Sequence, residues 1–474
     1  MNRILRLLFI GSFTLLFLAS CGENPSTYIM PTTMFTVNSY VSDNAVFQER
    51  ENVIINGQSE EGALIKGTLK KDNRTIKEFS DVVDEKDEFM LSFTAPKASL
   101  DEYQITIDDG VHTLTINNIR FGSVWVITGE DFKTKTLTSE PTEEISPKIS
   151  LYDGSKWTTN MFNQDEFSQF VLLYANKLAE KLSMPLGIIS AVVDKAHIDS
   201  WLNPLTTEDN LRIKKFLTDT NRFIEIGDSY FENYDTMCSV YKQMIEPISN
   251  LSIKGIIWKQ GISNLEDYLK NSGYAFNGVN YFRDYQYVLT QVFNDLYNVF
   301  GSDVDMFILQ QGSSDHEYAS LLREAQASAT YLLKYTNVIT TYGYEDDELL
   351  MNSIANAVYE YTYENHRDYL SPNYINSISG DDYIKIMFNN CSSLLIEEEY
   401  FGLNIYDQNG ELIELEVVVE DNWLKVILPE PIEGEDAVKI KLIEYAQGTD
   451  IDDSNLKNEN GIGVVPFVIK FNIE

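Results

Sequence analysis

The sequence predicts an α/β domain with a parallel sheet, set between two β-sandwich-like domains. Three observations predict it. Apolar residues alternate with period 2 from Met34 to Trp125. Helical stripes then alternate with short, continuous apolar runs as far as Leu370, the pattern of a parallel sheet covered by helices on both faces. From Ser371 onward period 2 returns. The expected domains are 34–122, 123–370 and 371–474, preceded by a targeting segment (1–21) and a tether (22–33).

Each element has a local reason. In the first domain Val53/Ile55, Phe89/Leu91/Phe93, Tyr103/Ile105/Ile107 and Leu114/Ile116 each place apolar side chains on one face of a strand. Asp108-Asp109-Gly110 is a hairpin turn. In the second domain Asn163 and Glu166 resemble a capping box. Phe167, Phe170, Tyr174, Leu178 and Leu182 then share a helical face, and Pro185 ends that helix. Leu186–Val193 reads as a buried strand. Met237, Tyr241, Met244 and Ile248 give a helix, and Lys254–Trp258 a strand. Phe282, Tyr285, Leu289, Val292, Leu296 and Phe300 mark a long helix with Gly301 at its C-cap. Strand 306–310, helix 318–334, strand 337–341 and helix 349–363 follow. The third domain shows alternation over 414–419, 424–428 and 438–443.

Composition narrows the function. Arg3 and Arg6 precede the apolar run Leu7–Leu18, shorter than the roughly 20 residues that span a bilayer. Leu18-Ala19-Ser20-Cys21 resembles a bacterial lipobox, with Cys21 as the lipidated residue. A membrane-anchored lipoprotein facing the extracellular or periplasmic side is therefore expected. The chain has 73 acidic and 36 basic residues, a formal charge of −37. Cleavage before Cys21 makes it more negative by two. That balance argues against nucleic acid as a partner. Of the three cysteines, Cys238 and Cys391 lie in different expected domains and imply no disulfide framework. There is no HExxH, no CxxC pair, no calcium loop and no phosphate loop, so no metal or cofactor is expected. The acidic runs 346–348 and 450–453 read as solvated faces.

Four motifs carry a resemblance. FGSVWVITGEDFK ends an apolar run at Gly129, where a strand would meet the ligand side of a parallel sheet. PLGIISAVVDKAHIDSW begins at Pro185, GIIWKQGISN spans Gly255–Asn264, and LREAQ ends at Gln326. Together they resemble the sialate O-acetylesterase family of SGNH-type hydrolases, whose blocks read like FGDVWLCSGQSNM, PIGLINSSWGGTPIEAW and GVIWYQGESN. VSDNAVFQER (Val41–Arg50) and GIGVVPF (Gly461–Phe467) resemble the family's opening and closing segments. The resemblance implies an SGNH-hydrolase-like three-layer domain and a carbohydrate O-acetylesterase ancestry.

It also implies losses. Asp131 stands at the serine nucleophile's place and Phe132 at the following Asn. Glu130 replaces Gln. Asp194-Lys195 replaces the glycine pair that includes the oxyanion glycine. No Asp-x-x-His follows strand 337–341, where the chain reads TTYGYEDDELLMNS. Asn264 matches the oxyanion Asn, and Gly129, Gln260 and Gly261 are retained. Losing Ser or His alone costs on the order of 10⁶ in rate in a measured Ser-His-Asp enzyme. The expectation is a scaffold without catalytic residues, binding a saccharide or a cell-surface protein. Its cleft would be marked by Gly129, Glu130, Asp131, Gln260 and Asn264. The alternative is an active hydrolase with relocated residues, such as Asp315-His316 with Ser263 or Ser313. The remaining histidines, His112, His197 and His366, read as ordinary surface or satisfied residues.

Overall fold

The computed structural model describes residues 35–130, 146, 148–159, 167–225, 233–267, 278–344, 346–396, 401–430, 438–448, 451–452 and 454–471. Cys21, the tether, Asp131, Phe132, Asn163 and Glu166 lie outside the described residues.

One strand organises the chain. Thr113–Gly129 is antiparallel to Ser99–Asp108 in its first half. In its second half it is parallel to Leu186–Val192 and Gly255–Lys259. It thus runs straight through the boundary expected at 122/123. Its burial changes along its length to match. The first half alternates, as a strand with one wet face must, and every residue from Ile119 to Gly129 is buried. Asp305–Leu309 and Thr336–Ile339 extend the parallel part on one side. Ile149–Tyr152 extends it on the other, followed by an antiparallel edge at Trp157–Thr158.

Helices cover both faces of the parallel part. On one, Gln169–Lys181 and Asp347–Tyr363 pack on Trp125, Ile127, Ile188, Ile257 and Phe307. On the other, Gly278–Phe300 and Ala319–Ala329 pack on Val124, Val126, Ile189, Ile256 and Ile308. Neighbouring residues of one strand feed opposite cores, which is why these strands read as continuous apolar runs.

The first domain pairs Thr36–Val37, Asn52–Gln58 and Glu88–Thr94 in a separate small sheet. Asp109 and Gly110 close the expected hairpin, with Gly110 at φ +90°. In the third domain two four-stranded antiparallel sheets enclose a core of Ile384, Ile386, Phe388, Leu424, Ile443 and Tyr445.

Several elements depart from the periodic reading. The first helix is described from Gln169, capped by Ser168, whose side chain accepts from the Val171 N–H. The expected helix over 237–248 is instead a π-helical turn, Tyr241–Ile245, followed by a 3₁₀ turn, Glu246–Ile248. Pro247 has no N–H for the α ladder and breaks the pattern. Helix 318–334 stops at Ala329. The periodic reading does not include the short helices Pro204–Asp209 and Leu211–Asp219, the second of which buries Ile213, Phe216 and Leu217 on one face. Acidic run 346–348 opens a helix: Asp346 caps it through the Leu349 N–H, and the next two acids face its positive end. Cys238 is buried and Cys391 half-buried, both as free thiols. Among the described residues no helix is long and apolar enough to cross a membrane.

Candidate functional site

The site is built where three parallel strands end together. Gly129 pairs with Val192 on one side and Lys259 on the other. It adopts φ +119°, and a Cβ there would sit 1.8 Å from the Lys259 carbonyl oxygen. Only glycine fits, because no side chain can share that space. The Glu130 N–H then donates to the same Lys259 carbonyl at 2.6 Å. This bond turns the chain and sends the Glu130 side chain inward.

Glu130 is 3% exposed. Its Oε1 accepts from Gln260 Nε2 at 2.8 Å and from the Gly261 N–H at 2.9 Å. Its Oε2 accepts from the Ser263 N–H at 3.1 Å and from Ser263 Oγ at 2.9 Å. Burial pushes this carboxyl above the ordinary glutamate range, and the Gly261 and Ser263 donors pull it part of the way back.

Gln260 and Asn264 continue the network. Gln260 Nε2 also donates to Asn264 Oδ1 at 2.7 Å, and Tyr285 donates its hydroxyl to Gln260 Oε1 at 2.8 Å. Asn264 Oδ1 accepts from the Ile198 N–H at 2.9 Å, and Asn264 Nδ2 donates to the Tyr281 hydroxyl at 2.9 Å. Asn264 is 1% exposed. Both of its polar atoms therefore hold protein groups, and the contacts tie three segments together. Gln326 of the LREAQ match donates to the Gln260 carbonyl at 2.9 Å. Arg323 is fully buried and donates to the carbonyls of Gly312 and Gly448, which links the α/β domain to the third domain. Burial without a carboxylate partner lowers its pKa to about 10.

The structure thus brings together four of the five expected cleft residues, Gly129, Glu130, Gln260 and Asn264; Asp131 follows Glu130, outside the described residues. Asp194 and Lys195 stand exposed at the tip of the loop after Leu186–Val192. Ser263 Oγ is engaged with Glu130, and Ser313 Oγ accepts from the Ile451 N–H at 3.0 Å. His316 Nδ1 accepts from the Tyr318 N–H at 3.4 Å, and burial lowers its pKa. His366 pairs with Glu360 at 2.9 Å at the far end of the last helix, and His112 with Asp109 at 3.1 Å in the first domain. Among the described residues no group of three or more His, Cys, Asp or Glu is arranged to hold a metal.

Sequence reasoning missed a second cluster beside this network. Asp199 is fully buried, and both its carboxylate oxygens accept from Arg222 Nε, at 2.7 and 2.9 Å. Arg222 reaches Asp235 at 3.2 Å, and Asp235 holds His197 Nδ1 at 2.7 Å. The two carboxylates raise the Arg222 pKa against the effect of burial. Burial would raise the Asp235 carboxyl, but its bond to His197 and the Arg222 charge hold it below the ordinary range. One signal for this cluster was present. Asp199 keeps the acid of the family-like stretch IEAW, here IDSW.

No protein-family model matches the chain. Among curated proteins, it is 21% identical over 272 residues to the sialate O-acetylesterase of Pongo abelii, covering 49% of each chain. It is 20% identical over 284 residues to the sialate O-acetylesterase of Mus musculus, covering 49% of this chain and 52% of that protein. A carbohydrate acetylesterase from Xanthomonas citri superimposes with a TM-score of 0.71 at 17% identity, over 92% of this chain and all of that one. The chain is related to the SGNH-type sialate O-acetylesterases. It spans about half the length of the curated relatives it matches, and the Xanthomonas likeness establishes shared fold.

An informative position in the loop after Leu186–Val192 is Lys195. It keeps a positive φ of 61°. A lysine therefore holds a left-handed backbone here, at a strain of roughly 1–2 kcal/mol for a non-glycine residue. Lys195→Gly should therefore raise stability by about 1 kcal/mol, part of the relief being offset by the freer unfolded chain. The shift of the urea midpoint at unchanged slope checks this.

Proposed function

We propose that this chain is a membrane-tethered relative of the carbohydrate acetylesterases that no longer cleaves esters by the family route. In this reading it is retained as a binding scaffold for a saccharide, and Cys21 is its lipid anchor. The observation that carries the reading is the engagement of Asn264. An oxyanion donor must point at the place where negative charge develops. Here Asn264 Nδ2 points at Tyr281, inside a network that leaves the residue 1% exposed.

The substitutions around it agree in chemistry. A carboxylate at position 131 would attack an acetyl carbonyl to give a mixed anhydride, an unfavourable route to deacetylation. A side chain at Lys195 and an acid at Asp194 both oppose close approach of an oxyanion. His316 and Ser263, the relocated pair considered above, are engaged elsewhere, with Tyr318 and Glu130 respectively.

Turnover of p-nitrophenyl acetate and O-acetylated sialic acid, with titration calorimetry on acetylated oligosaccharides, tests the proposal. The expected result is hydrolysis at the buffer rate, identical in Asp131→Ala, together with measurable saccharide binding. Turnover that disappears in Asp131→Ala would overturn it.

A further inference from the structure

We infer that the outward face of one sheet in the third domain is a self-association surface, where a second copy of this chain packs about a two-fold axis. The inference stands apart from the saccharide-binding reading.

The face is poorly suited to water. Its sheet runs from edge to edge as Tyr374–Ser379, Tyr383–Phe388, Trp423–Ile427 and Val417–Glu420. The inner face sends Ile384, Ile386, Phe388, Leu424 and Val426 into the core. An antiparallel sheet with one buried side should be polar on the other. Here alternation places Ile378, Tyr383, Met387, Val418, Trp423 and Ile427 on the outer side. Ile378 is 44% exposed and Val418 38%. Apolar side chains gathered on a solvent face mark a contact surface.

Charge names the occupant. The chain carries −37, so two copies repel each other across most of their surfaces. This face is close to neutral. Lys385 and Lys425 stand directly opposite each other on neighbouring strands, an arrangement that by itself destabilises a sheet. Both lie over the Tyr383 ring, at 5.5 and 5.2 Å, and both pair with Glu420. Two cations thus divide one carboxylate, and a second carboxylate would complete the set. Glu416 is exposed and precedes the edge strand Val417–Glu420. A two-fold axis parallel to the strands lays the lysines of each copy against Glu416 and Glu420 of the other. The opposite edge strand, Tyr374–Ser379, carries no charge to oppose approach. A face holding both signs side by side complements itself, whereas an anionic bilayer would select the lysines alone.

Size sets the strength. Four strands about 4.8 Å apart and about five residues long present roughly 300–400 Å². A stable complex buries about 800 Å² per partner. The dimer is therefore weak in solution. The membrane anchor proposed above would populate it by holding copies at high local concentration.

Sedimentation equilibrium of the full chain, from about 1 μM to about 1 mM, tests the inference. Of its five tryptophans four are buried and Trp423 is half-buried, so acrylamide quenching reports on this face. The expected mass doubles over that range, and quenching falls in step. Lys425→Glu should weaken association at least tenfold, and so should Glu416→Lys. A mixture of these two variants should recover it, which a folding defect could not do. Dimerisation that leaves Trp423 quenching unchanged, or that survives Lys425→Glu at full strength, would overturn the inference. So would a chain that stays monomeric throughout, including one whose Trp423 is shielded only when phosphatidylglycerol vesicles are added.

Discussion

Gly129→Ala should destabilise the protein by roughly 3–5 kcal/mol, one of the largest effects expected from any single substitution. Two terms add. The residue must leave a φ of +119°, and the new methyl group must find space now held by the Lys259 carbonyl, 1.8 Å from the Cβ position. The carbonyl cannot yield, because it is part of the sheet and also accepts the Glu130 N–H. Chemical denaturation should show a much lower midpoint. A variant within 1 kcal/mol of the wild type would mean that the turn rearranges freely.

Glu130→Leu should cost a similar amount, about 3–5 kcal/mol, by a different mechanism. It removes the acceptor of four donors: the Gln260 amide, the N–H groups of Gly261 and Ser263, and the Ser263 hydroxyl. A buried donor without a partner costs about 1–3 kcal/mol, although such losses are not additive. Glu130→Gln, which restores the family-like residue, keeps one acceptor oxygen and should be much milder. It also has a pH signature. The folded-state pKa of Glu130 is raised, so the folded protein holds that proton more tightly than the unfolded chain. Wild-type stability from this group therefore falls as pH rises from the unfolded value through the folded one. The glutamine does not titrate. The deficit of Glu130→Gln relative to wild type should accordingly shrink as pH rises above the ordinary glutamate value of 4.5. Denaturant midpoints of both proteins across that range would show it, and a deficit that grows with pH would contradict the assignment.

The parallel strands were legible because burial on both faces writes an unbroken apolar run, as in Leu186–Val192 and Asp305–Leu309. Antiparallel strands outside the parallel part were legible because one wet face writes alternation, as in Glu88–Thr94. The continuity of Thr113–Gly129 was not. Its two halves follow different rules, and the change of pattern read as a domain boundary. The turn at Tyr241–Ile245 was missed because an apolar stripe survives a π-turn nearly unchanged.

The motifs located the candidate site, but they did not reveal its direction. Gly129, Glu130, Gln260 and Asn264 were identifiable by likeness. Nothing local says that Glu130 turns inward, because its partners lie about 130 residues away along the chain. The Asp199–Arg222–Asp235–His197 cluster was hidden for the same reason: it joins three segments without any periodic signal.

The polar residues at the carboxyl end of the sheet tie its loops together through Glu130, Gln260 and Asn264. The most direct measurement is acetyl-ester hydrolysis by wild type and Asn264→Ala, at a temperature where both are folded. The account predicts the same buffer-level rate for both, with a lower unfolding temperature for the variant. Wild-type hydrolysis that falls about 100-fold in Asn264→Ala, the loss typical of a missing oxyanion donor, would contradict it.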